Sequence, residues 1–211
     1  MARHVFVETN WVVDYAAPAH RQRPVARDLL AQAQKGEIEL HLPAICLSEA
    51  RITIQRKFRP RNETDAIRHF LAHTAQQGRM SSEDRLVVLR ALDMFDSAVN
   101  AELGQLAATL AALRDQPAVD VFVLDQEMLE RSLELGASDL ELGPVDQAIL
   151  AAILIRAQRI RVSGEETMVF CERDADLLPW TRHGQRKDDL AELYEQVGLK
   201  VYRDFDIREL D

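Results

Sequence analysis

Two kinds of segment alternate along this chain: short unbroken apolar runs, and longer stretches with apolar residues three and four apart. The first run, HVFV at residues 4–7, has no polar alternation, the pattern of a parallel strand covered on both faces. WVVDYA and PVARDLLAQAQKG follow with helical spacing, the second opening at Pro24 and closing at Gly36. EIELHLP, residues 37–43, alternates and stops at a proline, so the opening reads strand, helix, strand, a βαβ unit. Helical spacing returns over residues 44–58, with Pro60 expected as its terminator. Asn62 is expected to cap NETDAIRHFLAHTAQQ, which Gly78 closes, and Ser81 or Ser82 to open a long helical stretch that Gly104 could divide and Pro117 ends. VFVLD, residues 121–125, is too short to assign by pattern. QEMLERSLELG and GPVDQAILAAILIRAQ read as helices, TMVFCERD as a strand over 167–174, KDDLAELYEQVG as an amphipathic helix and LKVYRDF as a final strand. The expected class is α/β, a central, mainly parallel β-sheet flanked by helices. It forms a single domain over residues 1–211, with residues 62–116 as a helical insertion or extension.

With 211 residues and 47% hydrophobic content, the chain can bury a sizeable core, which excludes intrinsic disorder. Its longest apolar run, AILAAILI at residues 148–155, is far short of the roughly 20 residues of a membrane span. No membrane partner is therefore expected. Glu8 interrupts the apolar start, so a cleaved secretory signal is not expected either. Cys46 and Cys171 belong to no CxxC or ligand-like cluster, which leaves no disulfide scaffold or cysteine zinc site to predict and favours a cytoplasmic location. The net charge of −9 is unevenly distributed. Residues 50–61 carry Arg51, Arg56, Lys57, Arg59 and Arg61 without an acid, whereas residues 115–146 hold nine acids against Arg131 alone.

Most of the 35 acidic residues need only a solvated surface, but four stand beside or within apolar segments. Glu8 directly follows HVFV. Glu49 falls in line with Ile45 and Ile52 on a helical stripe, and Asp146 in line with Ile149, Leu150 and Ile153. Asp174 lies just beyond MVFC, with Asp176 two residues on. In a parallel sheet, strand exits and the first turns of the following helices converge on one crevice. Carboxylates gathered in an apolar surround must be protonated, paired with bases or bound to a cation, and hard Mg²⁺ or Mn²⁺ suits oxygen ligands. Taken singly, each acid also fits a capping, dipole or ion-pair role. The joint placement is what points to a site.

These segments resemble the four motifs of the PIN-domain ribonucleases. VFVETNWVVDY is similar to the opening strand and acidic turn, LPAICLSEARITI to the second motif, GPVDQAILAAILIRA to the third and VFCERDADL to the fourth. The likeness covers residues 4–61 and 121–205, and the longer helical region between them resembles larger members of the family. The resemblance implies a PIN-like fold and a metal-dependent endoribonuclease with Mg²⁺ or Mn²⁺ as cofactor. It carries Glu8, Glu49, Asp146 and Asp174 over as catalytic and metal-binding residues, Asn10 as the group orienting the first acid, and Asp176 as an auxiliary or structural acid. Glu8 departs from the family pattern, which usually has Asp there.

The chemistry implied is attack of an activated water on the scissile phosphorus, leaving a 3′ hydroxyl and a 5′ phosphate, with no protein nucleophile. RNA is the expected partner, and the resemblance also admits an antitoxin protein, in a toxin-antitoxin pair, and a homodimer. Arg51, Arg56, Lys57, Arg59 and Arg61 are candidates for the RNA backbone, and Arg182 with Trp180 for contacts from a loop. The alternative is a PIN-like module that binds RNA or protein without cutting. A haloacid-dehalogenase-type phosphatase, suggested by Asp174 and Asp176 after a strand, fits poorly, because too little chain follows to complete such a sheet.

Overall fold

The computed structural model describes residues 3–163 and 167–207. Five strands, β1 (Arg3–Phe6), β2 (Glu39–Pro43), β3 (Val119–Phe122), β4 (Thr167–Cys171) and β5 (Leu199–Tyr202), form one sheet in the order β3-β2-β1-β4-β5. Every pairing is parallel. The expected α/β class is therefore present, and the sheet is wholly rather than mainly parallel, an arrangement consistent with a PIN-like fold. β1 has a neighbour on each side, which accounts for its unbroken apolar run: Val5, Phe6 and Val7 are fully buried. The alternation in EIELHLP does not produce a solvent face, because helices cover both sides of the sheet, and the polar His41 is buried with Leu40 and Leu42.

Among the described residues, eight α-helices surround the strands: α1 (Thr9–Ala16), α2 (Pro24–Gln34), α3 (Ile45–Lys57), α4 (Pro60–Gln76), α5 (Ser82–Arg114), α6 (Gln126–Gly136), α7 (Pro144–Ser163) and α8 (Asp188–Val197). They pack as two groups, α1 with α2, α3 and α5, to which α4 is added through α5, and α7 with α6 and α8. The core runs continuously from the central strands into Trp11 and Val12 of α1, Leu29 of α2, Ile54 of α3 and Leu150 and Ile153 of α7. The α7 segment AILAAILI is buried almost all round, as a helix pressed against a sheet and two neighbouring helices must be. No described helix is long and apolar enough to cross a membrane.

Three expected boundaries differ. Pro60 does not end a helix but begins α4, where its missing N–H costs nothing and its fixed φ is already helical. Asn62 caps the preceding helix instead: its Nδ2 donates to the carbonyl of Arg56 at 3.1 Å, near the end of α3. Gly104 does not divide α5, which runs unbroken for 33 residues from an N-cap at Ser81, whose hydroxyl accepts from the Asp84 N–H at 3.0 Å. Gly104 is exposed, so its weak helix propensity, about 1 kcal/mol against Ala, is carried by the turns on either side. α4 and α5 run antiparallel, joined by Thr64 to Asp96 at 3.0 Å and by Arg68 to Asp93 and Asp96 at 2.9 and 2.7 Å. The second half of α5 reaches the sheet core through Leu106, Leu110 and Leu113.

Candidate active site

β1 and β4 lie side by side in register, with Phe6 opposite Phe170, so the chain leaves both strands at the same level. Two residues beyond that pair stand Glu8 and Glu172, 3% and 0% exposed. Glu8 is the N-cap of α1; its Oε1 accepts the Asn10 backbone N–H at 2.7 Å, which fixes the carboxyl over the exit of β1. Glu172 turns back on itself: its Oε1 accepts the backbone N–H groups of Arg173 and Asp174, at 2.5 Å from Arg173. Its Oε2, equally buried, has no hydrogen-bond partner among the described residues.

Burial pushes the Glu8 carboxyl well above its usual range, and the charges of Glu172, Asp174 and Glu49 push it further, against the opposing Asn10 N–H. Burial likewise raises Glu172 to about 8, although the two backbone N–H groups and the Asn10 side chain favour its ionised form. Glu49, on the second turn of α3, is half-buried and accepts a short hydrogen bond from the Thr9 hydroxyl. Asp146, in the first turn of α7, is raised by burial and then by Glu49, Asp174 and Asp176. Asp174 and Asp176 are exposed, and Asp174 accepts the Asp176 N–H at 3.0 Å. Glu49 and Asp174 thus act on both Glu8 and Asp146 at the C-terminal edge of the sheet, with Asp176 at the margin and Asn10 touching both buried glutamates.

Glu172 was not among the expected residues. The strand was expected to continue to residue 174, which placed Glu172 inside it and Asp174 at the exit; β4 in fact ends at Cys171. The signal was present in the sequence, since Glu172 ends an apolar run as Glu8 does. Cys46, on α3 behind these acids, is fully buried, and burial with the charges of Glu8 and Glu49 drives its thiol well up. It therefore remains protonated at neutral pH and adds no soft ligand.

A groove of about 480 Å³ opens beside the acids. Asn10 and Asp174 line its acidic side, and Arg23, Lys57, Arg173, Arg182 and Arg203 supply cations. Arg173 is held by Asp14 at 2.7 Å and lies over the Phe205 ring, 5.8 Å from its centroid. Of the residues expected to bind RNA, Lys57 and Arg182 line this groove. Arg51, Arg56, Arg59 and Arg61 are exposed on or beyond α3 and are not part of its wall. Trp180 is half-buried and bridges to Arg186.

Among the described residues, no three of these acids bring their oxygens within 4.8 Å of one another, so they form an open set and not a closed cage. Among the described residues, the only three His, Cys, Asp or Glu side chains whose ligand atoms all lie within 4.8 Å of one another are His4, Glu39 and His41, elsewhere on the sheet. An open carboxylate set suits a small hard cation that keeps several waters and takes few protein oxygens. The chain matches no protein-family model, and no curated protein or solved structure is significantly similar to it.

Proposed function

We propose that the protein is a metal-dependent ribonuclease whose centre lies between Glu8, Glu49, Asp146, Glu172 and Asp174. The observation that carries this reading is the pair of buried glutamates, one with an oxygen that no donor satisfies and both holding protons far above the usual carboxylate range. Such an arrangement is costly for a merely structural feature, and a divalent cation relieves it directly. The five acids offer oxygen donors, and that favours Mg²⁺ or Mn²⁺. When bound, such a cation supplies a more acidic water and offsets charge on the phosphate oxygens.

The chain's own groups do the rest. Thr9 holds Glu49, the Asn10 N–H holds Glu8, and the N–H groups of Arg173 and Asp174 hold one oxygen of Glu172, while its other oxygen is buried without a hydrogen-bond partner among the described residues. Arg23, Lys57, Arg173, Arg182 and Arg203 line the route by which an anionic strand would reach these acids. The water oxygen forms the new bond to phosphorus as the bond to the 3′ oxygen breaks, so the 3′ hydroxyl takes a proton and the phosphate stays on the 5′ end.

The test is cleavage of a short single-stranded RNA by purified protein in Mg²⁺ or Mn²⁺. Activity should vanish in chelator and fall at least about 100-fold in Asp146→Asn or Glu49→Gln, each still folded by circular dichroism. Binding of RNA without cleavage under any divalent cation would instead support a non-catalytic binding module.

A further inference from the structure

At the opposite side of β1 and β2 from the acidic site, a second polar cluster crosses the sheet. His4 on β1 and His41 on β2 are 5% and 3% exposed. The register pairs His4 with Glu39 and Phe6 with His41, so all four side chains share a face. His4 Nδ1 and His41 Nε2 are 2.9 Å apart, and His4 Nδ1 is 3.4 Å from Glu39 Oε2. The two imidazole rings lie 25° from coplanar with centroids 5.1 Å apart, so they meet edge to edge, nitrogen facing nitrogen. Behind them, His41 Nδ1 is 2.8 Å from Asp120 on β3, and Arg156 of α7 donates to the same carboxylate oxygen at 2.7 Å.

Asp120, beside Arg156, takes the His41 Nδ1 side of the ring, which leaves His41 Nε2 directed at His4. A carboxylate behind a histidine, fixing its tautomer and aiming its free nitrogen, is the outer-shell arrangement of transition-metal sites. We propose that His4 Nδ1, His41 Nε2 and the Glu39 carboxylate form a second cation site, selective for Zn²⁺ over the hard ions of the acidic site. Imidazole nitrogen is a ligand preferred by Zn²⁺ and poorly suited to Mg²⁺.

The geometry is close to that required. Zinc–nitrogen bonds of about 2.0 to 2.1 Å set tetrahedral ligands roughly 3.3 Å apart. The His4 to Glu39 separation of 3.4 Å already matches, and the 2.9 Å between the histidines needs a few tenths of an ångström of opening, with both rings turning from head-on toward a common point, as the shared proton leaves. The Glu39 side chain is 58% exposed, which gives the ion a path in and water a place as fourth ligand. Loaded, the site ties β1 to β2 well away from the catalytic edge, so its expected effect is on stability.

The experiment is a Zn²⁺ titration of the whole chain carrying Glu49→Gln and Asp146→Asn, in excess Mg²⁺, followed by calorimetry and thermal unfolding. The expected result is one Zn²⁺ per chain and a Tm rise of about 5 to 10 °C at Zn²⁺ a hundredfold above Kd. Glu39→Ala, at an exposed position that folding tolerates, and His4→Gln should each weaken binding at least about tenfold. Asp120→Asn should weaken it about 10- to 100-fold while leaving the three ligands present. Co²⁺ in place of Zn²⁺ should show the visible bands of a four-coordinate ion in the acidic-site variant and lose them in His4→Gln. Absence of binding, or binding unchanged by Glu39→Ala and His4→Gln, overturns the proposal. Because the acidic site is disabled in the test protein, neither outcome depends on whether the protein cleaves RNA.

Discussion

Glu172→Gln keeps the shape of the buried side chain and, through its amide oxygen, both backbone hydrogen bonds, and it removes only the charge. Without a divalent cation, Glu172 ionises near 8 in the folded protein against 4.5 for an ordinary glutamate. Between those values the unfolded chain has shed the proton and the folded chain has not. The group's stabilising contribution is therefore complete below pH 4.5 and lost as pH rises through 8. At 1.36 kcal/mol per pH unit the whole gap corresponds to at most ~5 kcal/mol, and Glu8, pushed the same way, shares the relief, so ~2 to 5 kcal/mol is expected. In chelator at pH 9 the variant should melt roughly 5 to 15 °C above the parent, and at pH 4.5 the two should coincide. Adding Mg²⁺ at pH 9 should raise the parent and leave the variant nearly unmoved. The assay is a set of thermal melts across pH with and without cation. A variant that melts below the parent at pH 9, or a difference of equal size at both pH values, would refute the assignment of a strained buried charge.

Glu8→Asp withdraws the carboxyl by one methylene from a site built around the longer side chain, a shift on the order of 1 Å, and should reduce metal-dependent cleavage; faster cleavage than the parent would show a decayed site instead. Replacing Arg23, Lys57, Arg182 and Arg203 by Ala should lower the slope of log binding constant against log salt by about 3 for single-stranded RNA, whereas the same change at Arg51, Arg56, Arg59 and Arg61 should leave it unaltered. Equal losses from both sets would count against the groove. Tyr194→Phe removes a buried 2.8 Å hydrogen bond to the Leu177 carbonyl in the loop after Asp176, and should cost about 1 to 3 kcal/mol by denaturant unfolding; an unchanged midpoint would mean that the carbonyl finds another donor.

Apolar runs were enough to place β1 and β4, because a doubly covered parallel sheet leaves such strands no polar face, while alternation placed β2, and β5 and most helices followed from spacing and punctuation. The pattern was not enough for β3, whose Val119–Phe122 contains Asp120, an acid on an edge strand that is part-exposed and paired with His41 and Arg156. Pro60 and Asn62 were misassigned for a related reason: a proline or an asparagine marks a helix boundary equally well from either side, and only tertiary contact decides which helix it serves. At the site, four acids were legible from their apolar settings. Glu172 was hidden by a strand end misplaced by three residues, and the basic groove was legible only at Lys57 and Arg182, since its five cations come from four separate segments of the chain.

The α4–α5 pair is attached to the remainder in two different ways. From Val99 onward α5 is fastened by burial, whereas its first half has no buried residue and meets the body where Phe95 packs edge-on against His20, ring centroids 5.2 Å apart, with polar contacts of the α4–α5 pair around it. Glu63 of α4 meets Arg21 at 2.9 Å and His20 at 3.3 Å, and Glu102 accepts the Ala19 N–H at 2.6 Å, all at the solvent boundary. Salt weakens such pairs and leaves hydrophobic burial intact. The amides of residues 83–96 should therefore exchange with deuterium through a partial opening that quickens as ionic strength rises, while those of β1 and β4 wait for the whole molecule to unfold.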